Sequence, residues 1–543
     1  MKKRLIASLL AASMLFGLAA CGNTPANSSG SGSDSQPSQS TAGGNDEKPA
    51  GDGDVTPASD LDPVTLKMWL CGNNVSDDSK VLEELNKILQ EKINVTLEPI
   101  WDTWGFGDNV VLSLQGGEDI DIYFTCSWTA NEYNKFARDG YYVRLDDPNN
   151  NLIEKYASDL WNMLPELLTT TGACVNGKDG YGVYAVPGYK DIATQNCWDV
   201  NVPLLEKYGY TLDDIRNTDY FGFGEILQTV KDGEGKDFYP LLIEAAVLER
   251  MATNSIIVTG DSGTGNFMSY YLDPTDVSKE TSYGIQLLNK YATDEFAKYA
   301  EKTREYYLKG FIDPAMSNAD QANEVRTAVQ NSGEYLIGTQ SYSMGFELTA
   351  TRDRGFEVAM VPCTDPYIDT TSAQGAMMAI STASKNPERA MMFLNLLNTD
   401  PEIMTLMCYG VEGVHYNKTD DGCVEFTDES ANFKPWVNGV GNVTILPLTV
   451  EQGAGFYDRF KAYYDGAKDI PILGFSYDGS GVDAEMSAVA NVVAEYLMPL
   501  CSGAVDPAQK LPEFLKKLDE NGINTVLDDA NAQLKSFMET RGN

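Results

Sequence analysis

A strand–helix–strand pattern near the start of the globular part of the chain constrains the fold more than any other feature. Apolar and polar residues alternate over residues 64–70, which predicts a strand, and apolar residues at three-and-four spacing over 81–89 predict a helix. A second strand-like run covers residues 94–100, and another strand is predicted at 120–125. Strands that are joined through a helix pair in parallel, so we predict an α/β fold.

The same patterns continue along the chain. We predict further strands at 181–186, 334–338, 356–361 and 376–380, and helices near 152–168 and at 296–308, 319–331, 387–397 and 401–408. A helical region is predicted from about residue 486 to residue 539. Directly after the predicted strand at 181–186, the Pro and Gly of residues 187–191 favour a segment that crosses between two lobes.

The length of the chain indicates more than one hydrophobic core. Residues 62–543 exceed the roughly 250–300 residues at which a single core stops growing, so we predict two lobes. The predicted division assigns residues 1–20 to a signal peptide, 21–61 to a disordered linker, 62–188 with 364–410 to lobe 1, and 189–363 with 411–543 to lobe 2, which includes the helical C-terminal region.

The N-terminus is typical of an export signal. Three basic residues at positions 2–4 precede an apolar run over 5–20, which is too short to span a bilayer comfortably. The run ends in Leu18-Ala19-Ala20-Cys21, which resembles a bacterial lipobox and implies lipidation of Cys21; an ordinary signal peptide with a chance cysteine is the alternative. Residues 22–60 are polar and predict a disordered tether, so we expect the protein on the extracellular face of the cell membrane, held by acyl chains such as palmitate.

Charge and cysteine content exclude several kinds of partner. The chain carries 79 acidic and 40 basic residues, a formal net charge of −39, which argues against binding to nucleic acid or to anionic lipid. Eight cysteines follow Cys21 without any CxxC spacing, so we expect no metal site and no cofactor. We favour mostly free thiols over disulfides. After residue 20 no apolar run approaches eighteen residues, so we expect no membrane span there.

Several short motifs, in a fixed order behind the lipobox, carry a resemblance to a known family. They are Leu114-Gln115-Gly116-Gly117, Val175-Asn176-Gly177, Tyr184-Ala185-Val186-Pro187, Leu204-Leu205-Glu206-Lys207-Tyr208-Gly209, Tyr307-Leu308-Lys309-Gly310-Phe311-Ile312, Ser384-Lys385-Asn386-Pro387-Glu388-Arg389-Ala390 and Tyr409-Gly410-Val411-Glu412-Gly413-Val414-His415-Tyr416. In this order they resemble the family 1 extracellular solute-binding proteins of bacterial ABC importers, which mostly serve carbohydrate uptake. The tail Gly522-Ile523-Asn524-Thr525-Val526-Leu527 is similar to a Gram-positive lipoprotein subgroup with an extended C-terminal region.

The resemblance implies a fold, a function and partners. The implied fold is the two-lobed, periplasmic-binding-protein-like (type II) α/β fold, in which a hinge lets two lobes close on a ligand. The implied function is capture of an extracellular solute, most often a carbohydrate, and its delivery to the membrane permease subunits of an ABC transporter. We expect a monomer that is not an enzyme, and hinge bending near Tyr189 and Pro362.

Candidate ligand contacts follow from the position of the loops. In open α/β sheets ligands bind beyond the carboxyl ends of the strands, which selects the loops at 71–75, 126–131, 187–198, 339–346 and 363–374. A sugar needs aromatic rings for its apolar faces and polar groups for its hydroxyls. The predicted ligand-binding residues are Asn74, Trp128, Asn131, Tyr189, Lys190, Asp191, Trp198, Tyr342, Glu412 and Trp436, with Asn196, Gln340 and His415 as further candidates. For each ring the alternative is a packing role, and for His415 a structural one.

Three other functions share some of these sequence features. Residues 260–263 read Gly-Asp-Ser-Gly, as around a serine protease nucleophile, but the only histidine of the chain, His415, follows that serine instead of preceding it, which favours a flexible loop. A glycoside hydrolase needs only two suitably spaced carboxylates and stays an alternative. A surface adhesin or sensor would share the anchor and the tether, and it would expose large aromatic patches instead of a closed cleft.

Overall fold

The computed structural model describes residues 60–258 and 267–541. All of them belong to one compact unit. The predicted signal peptide, the lipidated Cys21, most of the tether and the 260–263 loop lie outside the described residues.

The elements alternate between strands and helices along most of the chain. The strands are β1 (Val64–Leu70), β2 (Asn74–Val75), β3 (Val95–Trp101), β4 (Ile122–Thr125), β5 (Cys174–Gly177), β6 (Gly180–Val183), β7 (Val186–Pro187), β8 (Asn196–Asn201), β9 (Ser255–Ile257), β10 (Met268–Tyr271), β11 (Leu288–Asn289), β12 (Ile337–Ser341), β13 (Val358–Pro362), β14 (Tyr367–Ile368), β15 (Met377–Ile380), β16 (Tyr416–Lys418), β17 (Val424–Phe426), β18 (Phe433–Lys434) and β19 (Lys468–Asp469). The α-helices are α1 (Ser79–Ile93), α2 (Gly107–Gly116), α3 (Tyr133–Asp139), α4 (Leu152–Tyr156), α5 (Ser158–Met163), α6 (Val202–Lys207), α7 (Leu212–Arg216), α8 (Gly224–Glu234), α9 (Ala245–Thr253), α10 (Asp294–Leu308), α11 (Ala319–Ser332), α12 (Phe346–Arg354), α13 (Thr370–Ala373), α14 (Pro387–Thr399), α15 (Pro401–Tyr409), α16 (Phe456–Asp465), α17 (Asp483–Cys501), α18 (Pro507–Glu520) and α19 (Ile523–Arg541).

The largest sheet has five strands in the order β3-β1-β4-β15-β7. Strand β1 runs parallel to both β3 and β4, whereas β15 is antiparallel to β4 and β7. Leu66, Met68 and Leu70 point into the core, which is the alternation that predicts β1 from sequence. The predicted α/β fold is confirmed. We call this sheet, with the helices α1, α3, α14 and α15 that belong to its side, the first half.

The second sheet is antiparallel, with β8 between β12 and β13. All six residues of β8 are buried. The predicted loop at 187–198 is therefore wrong over the residues of β8. The sequence Asn-Cys-Trp-Asp-Val-Asn does not alternate, so it gives no local sign of a strand. Its buried carboxylate, Asp199, accepts hydrogen bonds from Arg354 at 2.8 Å and Tyr335 at 2.7 Å, which lets a charge sit in the centre of a sheet. We call this sheet, with α6, α7, α9 and α12, the second half.

Other predicted elements match with small shifts. The predicted strand at 334–338 begins later, as β12, and the predicted strand at 181–186 divides into β6 of a hairpin and β7 of the large sheet. Helices α10, α11, α14 and α15 lie where the periodicity predicts them. In the described ranges, no helix is both long and apolar enough to cross a membrane.

The C-terminal part of the chain contacts both halves. Strand β18 pairs with β2 beside the first half. Helices α17 and α18 instead pack on α9 and α10. There the ring of Phe514 lies 4.8 Å from Tyr291 and 5.1 Å from Tyr496, and the Tyr299 hydroxyl donates to the Cys501 carbonyl at 2.9 Å. The lobe boundaries themselves stay a prediction.

Candidate functional site

Three tryptophans form a platform beyond the carboxyl ends of the parallel strands. The ring centroids of Trp104 and Trp436 are 4.9 Å apart, those of Trp128 and Trp436 5.8 Å, and those of Trp104 and Trp128 6.0 Å. Trp104 is 57% exposed and Trp128 39% exposed. Phe124, at the end of β4, packs beneath Trp128 and Trp436. Large aromatic rings held at the surface in this way offer a flat apolar face to a ligand.

The backbone around the platform fixes the rings in place. The indole nitrogen of Trp128 donates to the Gly375 carbonyl at 2.9 Å, and the Trp436 amide donates to the Asn73 side-chain oxygen at 2.9 Å. Gly72 follows β1 with φ of 76°, and a Cβ atom at this position would lie 2.6 Å from the Trp104 ring. Glycine is therefore required here both for the backbone conformation and for the close approach of the ring.

A cavity of about 390 Å³ adjoins the platform at Trp436 and lies between the two halves. Helix α12 of the second half contributes Phe346 and Arg352, while α15 of the first half contributes Tyr409. On the rim, the Asn438 side-chain nitrogen donates to the Ser343 hydroxyl at 3.2 Å and so links segments from the two sides. The volume falls within the range of small-molecule sites, about 300–1,000 Å³.

Charges in the cavity are balanced. Arg352 lies with Nη1 3.7 Å from Oε1 of Glu451 and Nε 3.0 Å from the Asp353 carboxylate, and its guanidinium is 5.0 Å from the centre of the Phe426 ring. Lys434 is the second cation of the lining. Burial raises the pKa of the Tyr409 hydroxyl well above its ordinary value, so this group stays a neutral hydrogen-bond partner.

A polar cluster lies where the chain first crosses from β7 to β8. Lys190 Nζ contacts the Asp191 carboxylate at 2.6 Å, and both side chains are largely buried. Lys190 also packs against Gly375, whose carbonyl holds Trp128. On the far side, the Tyr342 amide donates to the Gln195 carbonyl at 2.7 Å. The cluster thus connects the platform to the second sheet.

Some of the predicted site residues come together. Trp128 and Trp436 belong to the platform, while Lys190, Asp191 and Tyr342 belong to the crossing cluster. Asn74 is exposed on β2 and pairs in register with Lys434 of the cavity lining. The role of each residue as a ligand contact stays a prediction.

The structure gives other predicted residues a packing or supporting position. Trp198 is only 4% exposed and packs on Phe223 at 5.0 Å in the second half, because it lies in the central strand β8 instead of a loop. The Asn131 side chain is fully buried and donates to the Phe124 carbonyl at 2.7 Å, so it holds the loop that carries Trp128. Asn196 is likewise buried in β8.

Four further candidates make local contacts. The half-buried Tyr189 accepts at its carbonyl from the Val443 amide at 2.9 Å. Glu412 is exposed and pairs with Lys418 at 2.8 Å. His415 is buried, and its Nδ1 accepts from the Val411 amide at 2.9 Å. Burial lowers the pKa of His415, which agrees with the structural alternative. The Gln340 side chain donates to the Ser341 carbonyl at 2.8 Å.

Sequence reasoning missed part of the site. Trp104 follows the carboxyl end of the parallel strand β3, so the rule that selected the other loops would have found it had the loop after β3 been included. Phe346 ends the selected loop 339–346 but was not named as a candidate. Arg352 and Glu451 carry no comparable signal, because they meet only through the packing of α12 against distant segments. Among the residues that the structure describes, no cluster of His, Cys, Asp and Glu is arranged to hold a metal ion. Cys71, Cys126, Cys174, Cys197, Cys363, Cys408, Cys423 and Cys501 are free thiols.

Comparisons with known proteins agree with this architecture. Residues 471–539 match a family model described as a domain of unknown function, DUF3502. A carbohydrate ABC transporter substrate-binding protein of Streptococcus pneumoniae serotype 4 (strain ATCC BAA-334 / TIGR4) is 26% identical over 550 residues, which cover 99% of both proteins.

Two solved structures extend the comparison. The N-glycan transport solute binding protein NgtS from Streptococcus pneumoniae superposes with a TM-score of 0.72 at 25% identity, covering 88% of this chain and all of that one. The alginate-binding protein AlgQ2 has the same fold, with a TM-score of 0.58 at 16% identity over 89% of this chain and 99% of that one. The family resemblance found in the sequence is confirmed: the chain is a homologue of the substrate-binding proteins of carbohydrate ABC transporters and has their two-domain α/β fold.

Proposed function

We propose that the protein is the substrate-binding component of an ABC importer and that it captures an oligosaccharide between its two halves. The observation that carries the proposal is the exposed tryptophan platform beside the cavity under α12. Rings for the apolar faces of sugars and charged or amide groups for their hydroxyls occur there together. The NgtS relative is a transporter component for N-glycans, and structures of it contain Man1GlcNAc and Man5GlcNAc.

Capture requires that the ligand favour a closed arrangement of the halves. The chain crosses between the first and second sheets after β7 and again after β13, near Tyr189 and Pro362, so bending at these two crossings would move one half against the other. A ligand that touches both Trp436 and α12 gains contacts only when the halves are close. Its differential affinity for the closed form then drives closure, and the permease recognises that form.

Anchoring at the membrane belongs to the same proposal. We place the lipid on Cys21 and the binding unit, as a monomer, on the extracellular face of the membrane. A Cys21→Ser variant would then appear in the culture medium instead of the membrane fraction. Retention of that variant on the membrane would remove Cys21 as the anchor.

Binding without turnover distinguishes the proposal from a glycoside hydrolase. Thermal melting of the mature protein against Man1GlcNAc, Man5GlcNAc, kestose and alginate oligosaccharides, with peptides as controls, should give a shift with at least one sugar. Chromatography of the same samples should recover that sugar unchanged. Release of a shorter product would favour the hydrolase, and no shift with any sugar would contradict the proposal.

A further inference from the structure

Two segments of the chain meet beside the tryptophan platform. One is the loop after β4, which carries Trp128, and the other is α13 with the two residues that follow it. The Thr371 and Gln374 carbonyls accept from the hydroxyl and the amide of Ser127, each at 3.0 Å. The Gly375 carbonyl accepts from the indole nitrogen of Trp128 at 2.9 Å. The position of the Trp128 ring therefore depends on where this second segment lies.

The Gln374 side chain fixes the second segment to the first half. It is only 1% exposed, and it pairs with the buried Asn134 side chain of α3 through two hydrogen bonds, at 3.0 and 3.2 Å. The Gln374 side-chain nitrogen also donates to the Gly172 carbonyl at 3.1 Å, and the Asn134 nitrogen donates to the Glu132 carboxylate at 2.8 Å. Both outer partners are acceptors, so they determine which end of each amide is the nitrogen, and the pair has one defined arrangement.

An amide pair holds the segment in a direction as well as in place. Hydrogen bonds require a narrow range of angles, whereas apolar contacts are non-directional, so an apolar side chain of the same size would leave α13 free to slide. The backbone beside the pair is closely packed, since a Cβ atom at Gly172 would lie 2.6 Å from the Ala373 carbonyl oxygen. This close contact blocks a shift of α13 towards Gly172, and the amide pair opposes a shift away from it.

We infer that Gln374 is a positioning residue of the platform: by fixing the carbonyls beside Ser127 and Trp128, it holds the Trp128 ring in the orientation in which a sugar stacks on it. The inference rests on the proposed function, since it names a residue that prepares the same site for its ligand. The Trp128 ring is 39% exposed, so without these hydrogen bonds it could turn. A ligand would then have to order the ring, which lowers the affinity.

The test is a double-mutant cycle of Gln374→Met and Trp128→Ala, with the affinity measured by calorimetric titration of the sugar that gives the largest melting shift. We expect Gln374→Met to weaken binding about tenfold, less than the roughly 30-fold loss expected for a whole ring at the centre of a binding surface. In the Trp128→Ala background the same change should have an effect of less than about twofold, because Gln374 acts only through that ring.

A second readout needs no sugar. Near-ultraviolet circular dichroism reports the fixed packing of aromatic rings, and Gln374→Met should lose part of the signal that Trp128→Ala removes. The matched control is Gln533→Met, which removes a side-chain amide bonded to the Asp478 backbone at 2.9 and 3.1 Å in the C-terminal region. It should change neither the affinity nor the tryptophan signal. Ser127→Ala, which removes only the hydroxyl donor to Thr371, should repeat the pattern of Gln374→Met more weakly, and it replaces that variant if Gln374→Met does not fold.

The outcomes separate the inference from the proposed function. If the wild-type protein binds a sugar and Gln374→Met binds it equally well, the inference is wrong and the proposed function stands. An equal loss of affinity with and without the Trp128 ring would assign Gln374 a general structural role and would also overturn the inference, as would unchanged affinity of Trp128→Ala alone. If the wild-type protein binds no sugar of the panel, the proposed function itself fails, and an unchanged near-ultraviolet spectrum of Gln374→Met would then reject the positioning of Trp128 as well.

Discussion

Replacement of Trp104 by alanine should separate ligand binding from stability. The side chain is 57% exposed, and its buried part packs on the rings of Trp128 and Trp436 and against Gly72. Aromatic pairs contribute about 0.5–1.5 kcal/mol each beyond the area that they bury, so these two pairs account for about 1–3 kcal/mol of the folding free energy that is lost. A tryptophan at the centre of a binding surface contributes about 2 kcal/mol or more to binding.

The expected change in affinity follows from these magnitudes. A loss of about 2 kcal/mol corresponds to a roughly 30-fold increase in the Kd for the bound oligosaccharide, measured by calorimetric titration. Tyr181→Ala is a suitable control, because that ring is 65% exposed and lies on the β5–β6 hairpin, outside the platform. It should bind sugar like the wild type. Unchanged affinity of Trp104→Ala, with wild-type binding intact, would refute the role of the platform.

Two further predictions concern stability. Phe514→Ala should lower the free energy of unfolding by about 3–5 kcal/mol, because the fully buried ring joins α18 to Tyr291 and Tyr496; denaturant unfolding measures it, and a loss below about 1 kcal/mol would contradict this packing. Burial raises the pKa of Asp369 to about 6, so the folded protein binds this proton more tightly than the unfolded chain does. The charged carboxyl therefore costs about 3 kcal/mol of stability above pH ~6, and this cost disappears as the pH falls through 6 towards ~4. Asp369→Asn should accordingly stabilise the protein more at about pH 7.5 than at about pH 5, and an equal gain at both would contradict the assignment.

The strands and helices of the first half were predictable because short stretches of sequence carry the hydrophobic pattern of each element. Val64–Leu70 alternates, the apolar positions of Ser79–Ile93 share one face, and proline marks the starts of α14 and α15. Strand β8 was not predictable in this way. Its Asp199 is tolerated only because Arg354 and Tyr335, more than 130 residues away in sequence, neutralise and bind it.

The candidate site also contains residues that a local sequence pattern predicts and residues that only the fold brings together. Trp128 was found because it directly follows a predicted parallel strand, whereas Trp198 was misplaced together with the strand that contains it. The cavity could not be predicted from the sequence. Its lining combines α12, the end of α15 and the segment around Glu451, and no local sequence pattern indicates that these segments meet.

The distance between the two halves with and without sugar tests the account most directly. Spin labels at Lys87→Cys on α1 and Asn323→Cys on α11 would report it, because both positions are exposed, α1 belongs to the first half, and α11 packs on α12 of the second half. We predict that a sugar which raises the melting temperature shortens the interspin distance, and that Trp104→Ala needs more sugar for the same shortening. An interspin distance that is the same with bound and without bound sugar would contradict closure of the halves on the ligand.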